Sequence, residues 1–216
     1  MMRQLIEWAR HKRFRRNIRQ WFRERGDDTL RLNYALDASS VVFDVGGFEG
    51  DFAAAIHERY GCEVHVFEPV PAFFEALKAR FAGNQRITLH PFGLGGRTES
   101  LPMSIEANGS SHVKETETEK TVSAQIISFE DFISESCISR VDLMKINIEG
   151  AEFDLLDHLI RHGRQSMIRD LQVQFHRFVR DASARRRDLR RRLAETHDLT
   201  YNFYFVWENW HLKRSP

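Results

Sequence analysis

A short stretch of the chain, residues 41–50, restricts the possible folds more than any other feature. An apolar run ends at Asp44, a glycine-rich turn follows, and the next residues are helix-like. A second apolar run, residues 64–67, ends at Glu68 and is followed by Pro69. A strand, a glycine turn, a helix and a second strand that ends in an acid are typical of a nucleoside-binding βαβ unit. The sequence therefore predicts a nucleoside cofactor.

Strand-like and helix-like segments alternate through most of the remaining chain. This alternation predicts an α/β fold, a Rossmann-like doubly wound sheet that is mostly parallel. Two segments depart from it, an inserted hairpin near residues 97–127 and a closing antiparallel hairpin over residues 199–212. The predicted strands are 41–44, 63–67, 86–92, 141–148 and 171–175. The predicted helices are 52–60, one beginning near Pro71, 150–160 and 185–196.

The first 40 residues are predicted to form a basic helical extension to a single Rossmann-like domain over residues 41–216. Apolar residues recur at helical spacing through residues 2–25, and Gly26 is expected to end that helix. Residues 3–25 contain nine Arg or Lys and only two Glu. Such a face is usually just solvated. The alternative is contact with an anionic partner: a phosphorylated glycan carrier, a membrane surface or RNA.

Composition places the chain among globular proteins. Of its 216 residues, 29% are charged and 42% are apolar. The two cysteines have no metal-binding spacing and imply no disulfide framework. No apolar run reaches the length of about 18 residues that a transmembrane helix needs, and the basic N-terminus lacks a secretory apolar core. A cytoplasmic location is expected.

The glycine turn itself discriminates between nucleoside cofactors. A dinucleotide fingerprint needs glycine at the first, third and sixth positions, which here hold Gly46, Phe48 and Asp51. A phosphate-binding P-loop also fails, because no Gly-Lys-Ser/Thr follows. S-adenosylmethionine suits the pattern, since Asp44 or nearby carbonyls could accept its ammonium and Glu68 could bridge its ribose hydroxyls. Glycine at position 46 would leave room for that cofactor.

A second polar segment lies in the predicted fourth strand. Because side chains alternate along a strand, Lys145, Asn147 and Glu149 are expected to share one face. Polar groups are expensive to bury unless they are paired or used. At the carboxyl end of a central strand they would open towards the cofactor crevice. A purely structural pair of Lys145 and Glu149 is the alternative.

Several motifs together resemble the FkbM family of methyltransferases over about residues 40–177. They are D-V-G-x-x-x-G at 44–50, F-E-P at 67–69, S-F-E-D-F at 128–132, K-I-N-I-E-G-A-E at 145–152 and a strand that ends at His176. The resemblance implies a class I fold that uses S-adenosylmethionine to methylate a hydroxyl, often of a sugar or natural product. Many relatives have Asp where this chain has Asn147, a weaker ligand for a hard cation, so no metal site is predicted.

Site residues follow from the motifs and the resemblance. His176 is the candidate general base, because its ordinary pKa of about 6.5 lies near neutrality. Glu149 is the rival base, and Lys145 could stabilise a developing alkoxide or act as base. The acceptor is expected near Ser110, Ser111, His112 and Glu152. The predicted cofactor-binding residues are Asp44, Gly46, Gly47, Gly50, Glu68, Pro69, Gly93 and Asn147.

Two other functions compete with this interpretation. A nicotinamide-dependent oxidoreductase would need the glycine pattern that is missing. A non-catalytic module of the same fold could recognise RNA or a protein, which the Arg-rich segments favour. The intact set of Asp44, Gly46, Glu68 and Glu149 argues against a degenerate fold and favours an enzyme instead. The acceptor is left open between saccharide, polyketide and peptide hydroxyls.

Overall fold

The computed structural model describes residues 2–104 and 121–214, and its main feature is a seven-stranded sheet. Its strands lie in the order β3-β2-β1-β7-β8-β10-β9, and β4, β6 and β5 form a second, smaller sheet. The strands are β1 (Val41–Val45), β2 (Glu63–Phe67), β3 (Ile87–His90), β4 (Gly93–Gly95), β5 (Glu99–Ser104), β6 (Thr121–Ser128), β7 (Val141–Ile146), β8 (Ile168–Val173), β9 (His197–Phe203) and β10 (Trp207–Leu212).

The large sheet is parallel except for one strand, β10. The pairs β1–β2, β1–β7, β2–β3 and β7–β8 are parallel, whereas β10 runs antiparallel to both β8 and β9. The predicted doubly wound, mostly parallel sheet with a closing antiparallel hairpin is confirmed. The helices are α1 (Met2–Arg23), α2 (Gly26–Thr29), α3 (Asp51–Tyr60), α4 (Pro71–Arg80), α5 (Phe129–Glu135), α6 (Glu152–Arg161) and α7 (Ala182–Leu193), with a 3-10 turn at Arg164–Met167.

Each face of the large sheet is covered by its own set of helices. Val42 and Val64 pack with apolar residues of α3 and α4 on one face. Phe43 and Met144 pack with α5, α6 and α7 on the other. Neighbouring positions in a strand point to opposite faces, so strands buried on both sides read as continuous apolar runs. That is why the central strands were recognisable in the sequence.

The inserted hairpin forms part of the smaller sheet. β5 and β6 pair antiparallel, as predicted, and the residues that connect them, 105–120, lie outside the described part of the chain. The predicted strand over 86–92 is shorter than expected. It ends at His90, and the chain then forms β4, which pairs parallel with β6. A three-residue strand made of Gly93, Leu94 and Gly95 carries no periodic signal.

The N-terminal helix packs on the closing hairpin. The ring of Trp21 lies 5.1 Å from that of Phe203, and Asn17 Oδ1 accepts a hydrogen bond from the backbone N–H of Tyr204 at 2.8 Å. The prediction that Gly26 ends the helix is wrong. The helix ends at Arg23, and Gly26 begins α2. Glycine is needed there because a Cβ would lie 2.3 Å from the Trp21 ring. The domain division at residue 40 stays a prediction.

Two histidines pack together at the edge formed by β2 and β3. His65 Nδ1 lies 3.0 Å from His90 Nε2, and His65 Nε2 lies 3.0 Å from Glu63 Oε1. The His90 ring also stacks on Phe67. Burial lowers the pKa of both histidines, that of His90 to about 4. Both rings are therefore neutral in the folded protein near neutral pH.

Mild acid is expected to destabilise the protein through these histidines. The ordinary pKa of histidine is about 6.5, so between that pH and about 4 the unfolded chain binds more protons than the folded one. The free energy of unfolding should fall across this window. Urea unfolding at about pH 7.5 and about pH 5 measures the change. The decrease in the free energy of unfolding should be smaller in His90→Gln than in the wild type. In the exposed control His11→Gln it should equal that of the wild type. An identical fall in His90→Gln and the wild type would contradict the assignment.

Candidate cofactor and acceptor site

The carboxyl ends of four parallel strands bring the predicted polar residues together. β1 lies between β2 and β7, and β7 lies next to β8. Asp44, Glu68, Asn147 and His176 therefore lie at or just beyond the ends of neighbouring strands. The connections from β1 and β7 leave in opposite directions along the sheet, and ligands of open α/β sheets bind at such a switch point. The predicted cofactor and catalytic residues of these four segments thus come together at one edge of the sheet.

The turn after β1 passes too close to the next loop for any side chain at Gly46. Gly46 has a φ of 88°, and a Cβ there would lie 2.1 Å from the backbone oxygen of Asn147. The backbone N–H groups of Gly46 and Gly47 both donate to the carbonyl of Phe67, at 3.1 and 3.2 Å. Gly50 is the N-cap of α3, which begins at Asp51. The protein's own backbone, and not only the volume of a cofactor, therefore requires glycine at position 46.

Glu68 is held rigidly at the end of β2. Its Oε2 accepts from the backbone N–H of Phe48 at 2.8 Å, and its Oε1 accepts from that of Val70 at 2.9 Å. Burial raises the pKa of this carboxyl, although both N–H donors oppose the shift. A carboxylate offers about four acceptor positions, so Glu68 retains capacity for ribose hydroxyls. Pro69 lies against Gly93, where a Cβ would come within 3.3 Å of its ring.

A buried ion pair joins β1 to β7 beneath the glycine turn. Lys145 Nζ donates to Asp44 Oδ1 at 2.8 Å and to the Gly46 carbonyl at 2.7 Å. The two charged side chains are only 5% and 0% exposed. Burial lowers the pKa of Lys145, and the charge of Asp44 opposes that shift. Asp44 Oδ2 is buried and has no hydrogen-bond partner among the described residues. It can accept a further donor, as the predicted contact with a cofactor ammonium requires.

A second charged cluster lies beyond the ends of β7 and β8. Glu152 is fully buried. It accepts from the backbone N–H of Gly150 at 2.7 Å and from that of His176 at 2.7 Å, and it lies 3.2 Å from His176 Nδ1. The other ring nitrogen, Nε2, lies 3.4 Å from Glu149 Oε2. The sequence assigned Glu152 to the acceptor, and here its contacts are with the protein. The imidazole is therefore held between two carboxylates.

The two carboxylates decide the charge of His176. Burial lowers the pKa of the imidazole, but the hydrogen bonds and charges of Glu149 and Glu152 outweigh it and raise the pKa to about 9. The hydrogen bond to His176 in turn lowers the pKa of Glu149. At neutral pH the imidazole of His176 is therefore protonated. His176 is thus not a free base in this state, contrary to the reasoning from its ordinary pKa.

The predicted fourth strand is shorter than expected, which changes the setting of two site residues. β7 ends at Ile146, and Glu149 has a φ of 47°. The prediction that Lys145, Asn147 and Glu149 share one strand face is wrong, because a left-handed residue cannot continue a strand. Asn147 donates its backbone N–H to Val45 at 3.0 Å, and its Oδ1 is buried with no partner in the described part of the chain.

Three of the residues predicted to lie near the acceptor have no structural description. Ser110, Ser111 and His112 lie outside the described residues, so their placement near the acceptor stays a prediction. No group of three or more metal-ligating side chains occurs among residues 2–104 and 121–214. No helix in those ranges is long and apolar enough to cross a membrane.

Two residues beside the site were missed by the sequence analysis. The guanidinium of Arg31 lies 5.5 Å from the ring centroid of Phe52, the ring that Lys145 Nζ approaches to 5.9 Å. Phe178 is 70% exposed, and its ring lies 5.3 Å from that of His176. Arg31 belongs to a segment with no periodic pattern. Phe178 lies only two positions after His176, so its closeness to that residue could have been predicted from the sequence.

The sheet order and the reversed last strand define a class I methyltransferase fold. A putative rRNA-methylase from Clostridium thermocellum has this fold with a TM-score of 0.55, and the match covers 89% of this chain and 96% of that one at 7% identity. The fibrillarin pre-rRNA processing protein of Methanococcus jannaschii gives 0.51, over 83% and 69% at 8% identity. At these identities the likeness concerns the fold alone.

Residues 43–201 match the methyltransferase FkbM domain, so the chain belongs to the FkbM family of S-adenosylmethionine-dependent methyltransferases. It is similar to 31-O-demethyl-FK506 methyltransferase FkbM of Streptomyces tacrolimicus, with 27% identity over 157 residues. That match covers 57% of this chain and 60% of the relative, so the chain spans less than two thirds of the relative's length. The resemblance drawn from the motifs and the predicted cofactor are both confirmed.

Proposed function

We propose that the protein transfers a methyl group to a hydroxyl of a saccharide or another natural product. The observation that carries this proposal is the imidazole of His176, held between Glu149 and Glu152 at the cofactor edge of the sheet. A hydroxyl is a weak nucleophile until its proton begins to leave, so its methylation needs a proton acceptor. The relative from Streptomyces tacrolimicus, named as an O-demethyl-FK506 methyltransferase, supports the same chemistry.

The cofactor would lie across the ends of β2, β1 and β7. Glu68 would accept the ribose hydroxyls, and Asp44 Oδ2, which is buried without a partner among the described residues, would accept the ammonium. When bound, S-adenosylmethionine supplies an electrophilic methyl carbon. Positioning contributes most of the catalytic effect, roughly 7–11 kcal/mol in well-oriented reactions. Lys145 acts by positioning, because its ammonium donates to Asp44 and to the Gly46 carbonyl.

His176 is the proposed base, and Glu149 controls when it becomes one. Glu149 is 55% exposed and lies 3.4 Å from Nε2, so this contact is long and open to solvent. An acceptor hydroxyl that takes the place of Glu149 on Nε2 removes one of the two charges that raise the pKa of His176. The imidazole then loses its proton more easily and can receive that of the hydroxyl. Glu152, fully buried, keeps Nδ1 and the ring orientation fixed.

Replacing His176 with alanine is expected to lower turnover by about 10²–10⁴-fold, the usual contribution of a positioned base. Cofactor affinity, measured by calorimetry, should stay within about threefold of the wild type. His11→Ala, at an exposed position on α1, is the control and should leave both quantities unchanged. Unchanged turnover in His176→Ala would exclude His176 as the base.

The pH dependence of kcat/KM separates His176 from its rival Glu149. If His176 is the base, kcat/KM should rise through about pH 9, because this quantity reports the pKa of the free enzyme. In Glu149→Gln the rise should move to lower pH, since one carboxylate that raises the pKa is gone. If Glu149 is the base, the same variant should instead lose activity at every pH.

Transfer of labelled methyl from S-adenosylmethionine into fractionated glycan and small-molecule extracts tests the proposal directly. The expected product carries the label in an ether that alkaline hydrolysis does not release. Label that appears on nitrogen or as a hydrolysable ester would contradict O-methylation of a hydroxyl. Stoichiometric cofactor binding without transfer to any fraction would instead favour the non-catalytic module.

A further inference from the structure

Arg31 reaches the cofactor edge from a part of the chain that the motifs do not include. It follows α2 and lies near the end of β8, because its Nε donates to Gln172 Oε1 at 3.1 Å. Gln172 is the register partner of Lys145 in the neighbouring strand. The guanidinium also stacks 4.1 Å from the centroid of Trp207. These contacts fix a cation beside the buried pair of Lys145 and Asp44.

The existing partners of Arg31 leave part of its donor capacity unused. A guanidinium has five N–H donors. Nη1 donates to Asp27 at 3.0 Å, but the Asp27 side chain is 52% exposed, whereas that of Arg31 is 18% exposed. Within the described residues Nη2 makes no hydrogen bond. A solvated ion pair of this kind contributes little, so a better-placed anion can compete for the guanidinium.

Lys145 provides a second cation next to Arg31. Both charged groups lie within 6 Å of the Phe52 ring centroid, at 5.5 and 5.9 Å. Of the three N–H donors of Lys145, two are used, by Asp44 and by the Gly46 carbonyl. Two neighbouring cations with spare donors and one carboxylate oxygen without a partner form a site for a zwitterion.

The methionine half of S-adenosylmethionine is such a zwitterion. With the ribose held at Glu68, the amino-acid half would extend towards β1 and β7, which follow β2 in the sheet. Asp44 Oδ2 would there accept its ammonium, and Lys145 and Arg31 are the neighbouring cations. We propose that Arg31, assisted by Lys145, binds the carboxylate of S-adenosylmethionine and thereby distinguishes it from nucleosides that lack this group.

Binding of two ligands that differ only in the carboxylate tests this assignment. Calorimetry compares S-adenosylmethionine with decarboxylated S-adenosylmethionine on the wild type and on Arg31→Met. The wild type should bind the intact cofactor about tenfold or more tightly than the decarboxylated one, the usual effect of a hydrogen bond to a charged group. In Arg31→Met this preference should nearly vanish, through weaker binding of the intact cofactor alone. Arg25→Met, at an exposed arginine of the same segment, should keep it.

Several outcomes overturn the proposal. The proposal is wrong if the wild type binds the intact and the decarboxylated cofactor with equal affinity. It is also wrong if Arg31→Met weakens the binding of both ligands by the same factor, or weakens neither. If Arg31→Met does not fold, Asp27→Asn replaces it: loss of the competing anion should preserve or increase the preference, and a decreased preference contradicts the proposal. The proposal rests on the cofactor and not on the acceptor, so failure of the hydroxyl assignment leaves it standing.

Discussion

Replacing Gly46 with alanine is expected to lower the free energy of unfolding by about 3 kcal/mol or more and to abolish cofactor binding. A Cβ at this position would lie 2.1 Å from the Asn147 carbonyl oxygen, a backbone atom that cannot move without displacing the end of β7. The φ of 88° adds the ordinary penalty of a left-handed residue. Chemical denaturation and calorimetry with S-adenosylmethionine measure the two effects.

Gly83 provides a matched control for the backbone term. Its φ is 81°, close to that of Gly46, but a Cβ there would meet no atom within 4 Å. Gly83→Ala should therefore show only the cost of the left-handed conformation, about 1–2 kcal/mol, with normal cofactor binding. Equal destabilisation of the two variants would show that the contact with Asn147 relaxes and that the turn is less constrained than the structure indicates.

Removing one partner of the buried ion pair of Asp44 and Lys145 is also expected to lower the free energy of unfolding strongly. Lys145→Met should destabilise the protein by about 3–5 kcal/mol, because the Asp44 carboxylate would remain buried without a counter-ion. The double variant Asp44→Asn/Lys145→Met should recover much of this loss, since it removes both charges. Urea denaturation of the two single variants and the double variant gives the coupling between the residues.

An exposed pair provides the comparison for this cycle. Lys78 and Glu75 are 3.1 Å apart, with side chains 53% and 67% exposed. Lys78→Met should change the stability little, as is usual for solvated pairs. A double variant at Asp44 and Lys145 that is no more stable than Lys145→Met would contradict the assignment, because it would trace the loss to packing instead of to the unpaired carboxylate.

The parts of the fold that the sequence predicted are those in which local pattern and tertiary environment agree. β1 and β2 are short, mostly apolar strands buried on both faces. Asp44 is the penultimate residue of β1, and Glu68 directly follows β2. Asp44 and Glu68 could therefore be placed at the cofactor edge from their positions alone. The antiparallel hairpins at β5–β6 and β9–β10 were recognisable from turn residues and alternation.

What the sequence did not predict depends on contacts between distant segments. The charge of His176 is set by Glu149 and Glu152 together. Glu152 accepts the backbone N–H of His176 and lies near its Nδ1, a contact that spacing does not reveal. Arg31 reaches the site only because Gln172 and Trp207 hold it there. The early end of β7 follows from the left-handed backbone at Glu149. Such features arise from packing and have no periodic signature.

The left-handed backbone of two side-chain-bearing residues limits where this protein can be made more heat-tolerant. Phe48 and Glu149, with φ of 49° and 47°, lie in the two turns that border the site. Each conformation costs about 1–2 kcal/mol that glycine would avoid. Glycine at 149 would also remove the carboxylate that lies 3.4 Å from His176 Nε2 and is proposed to control its protonation. Under this proposal thermal tolerance and turnover are opposed at Glu149, and engineering for stability should begin on surfaces remote from this edge of the sheet.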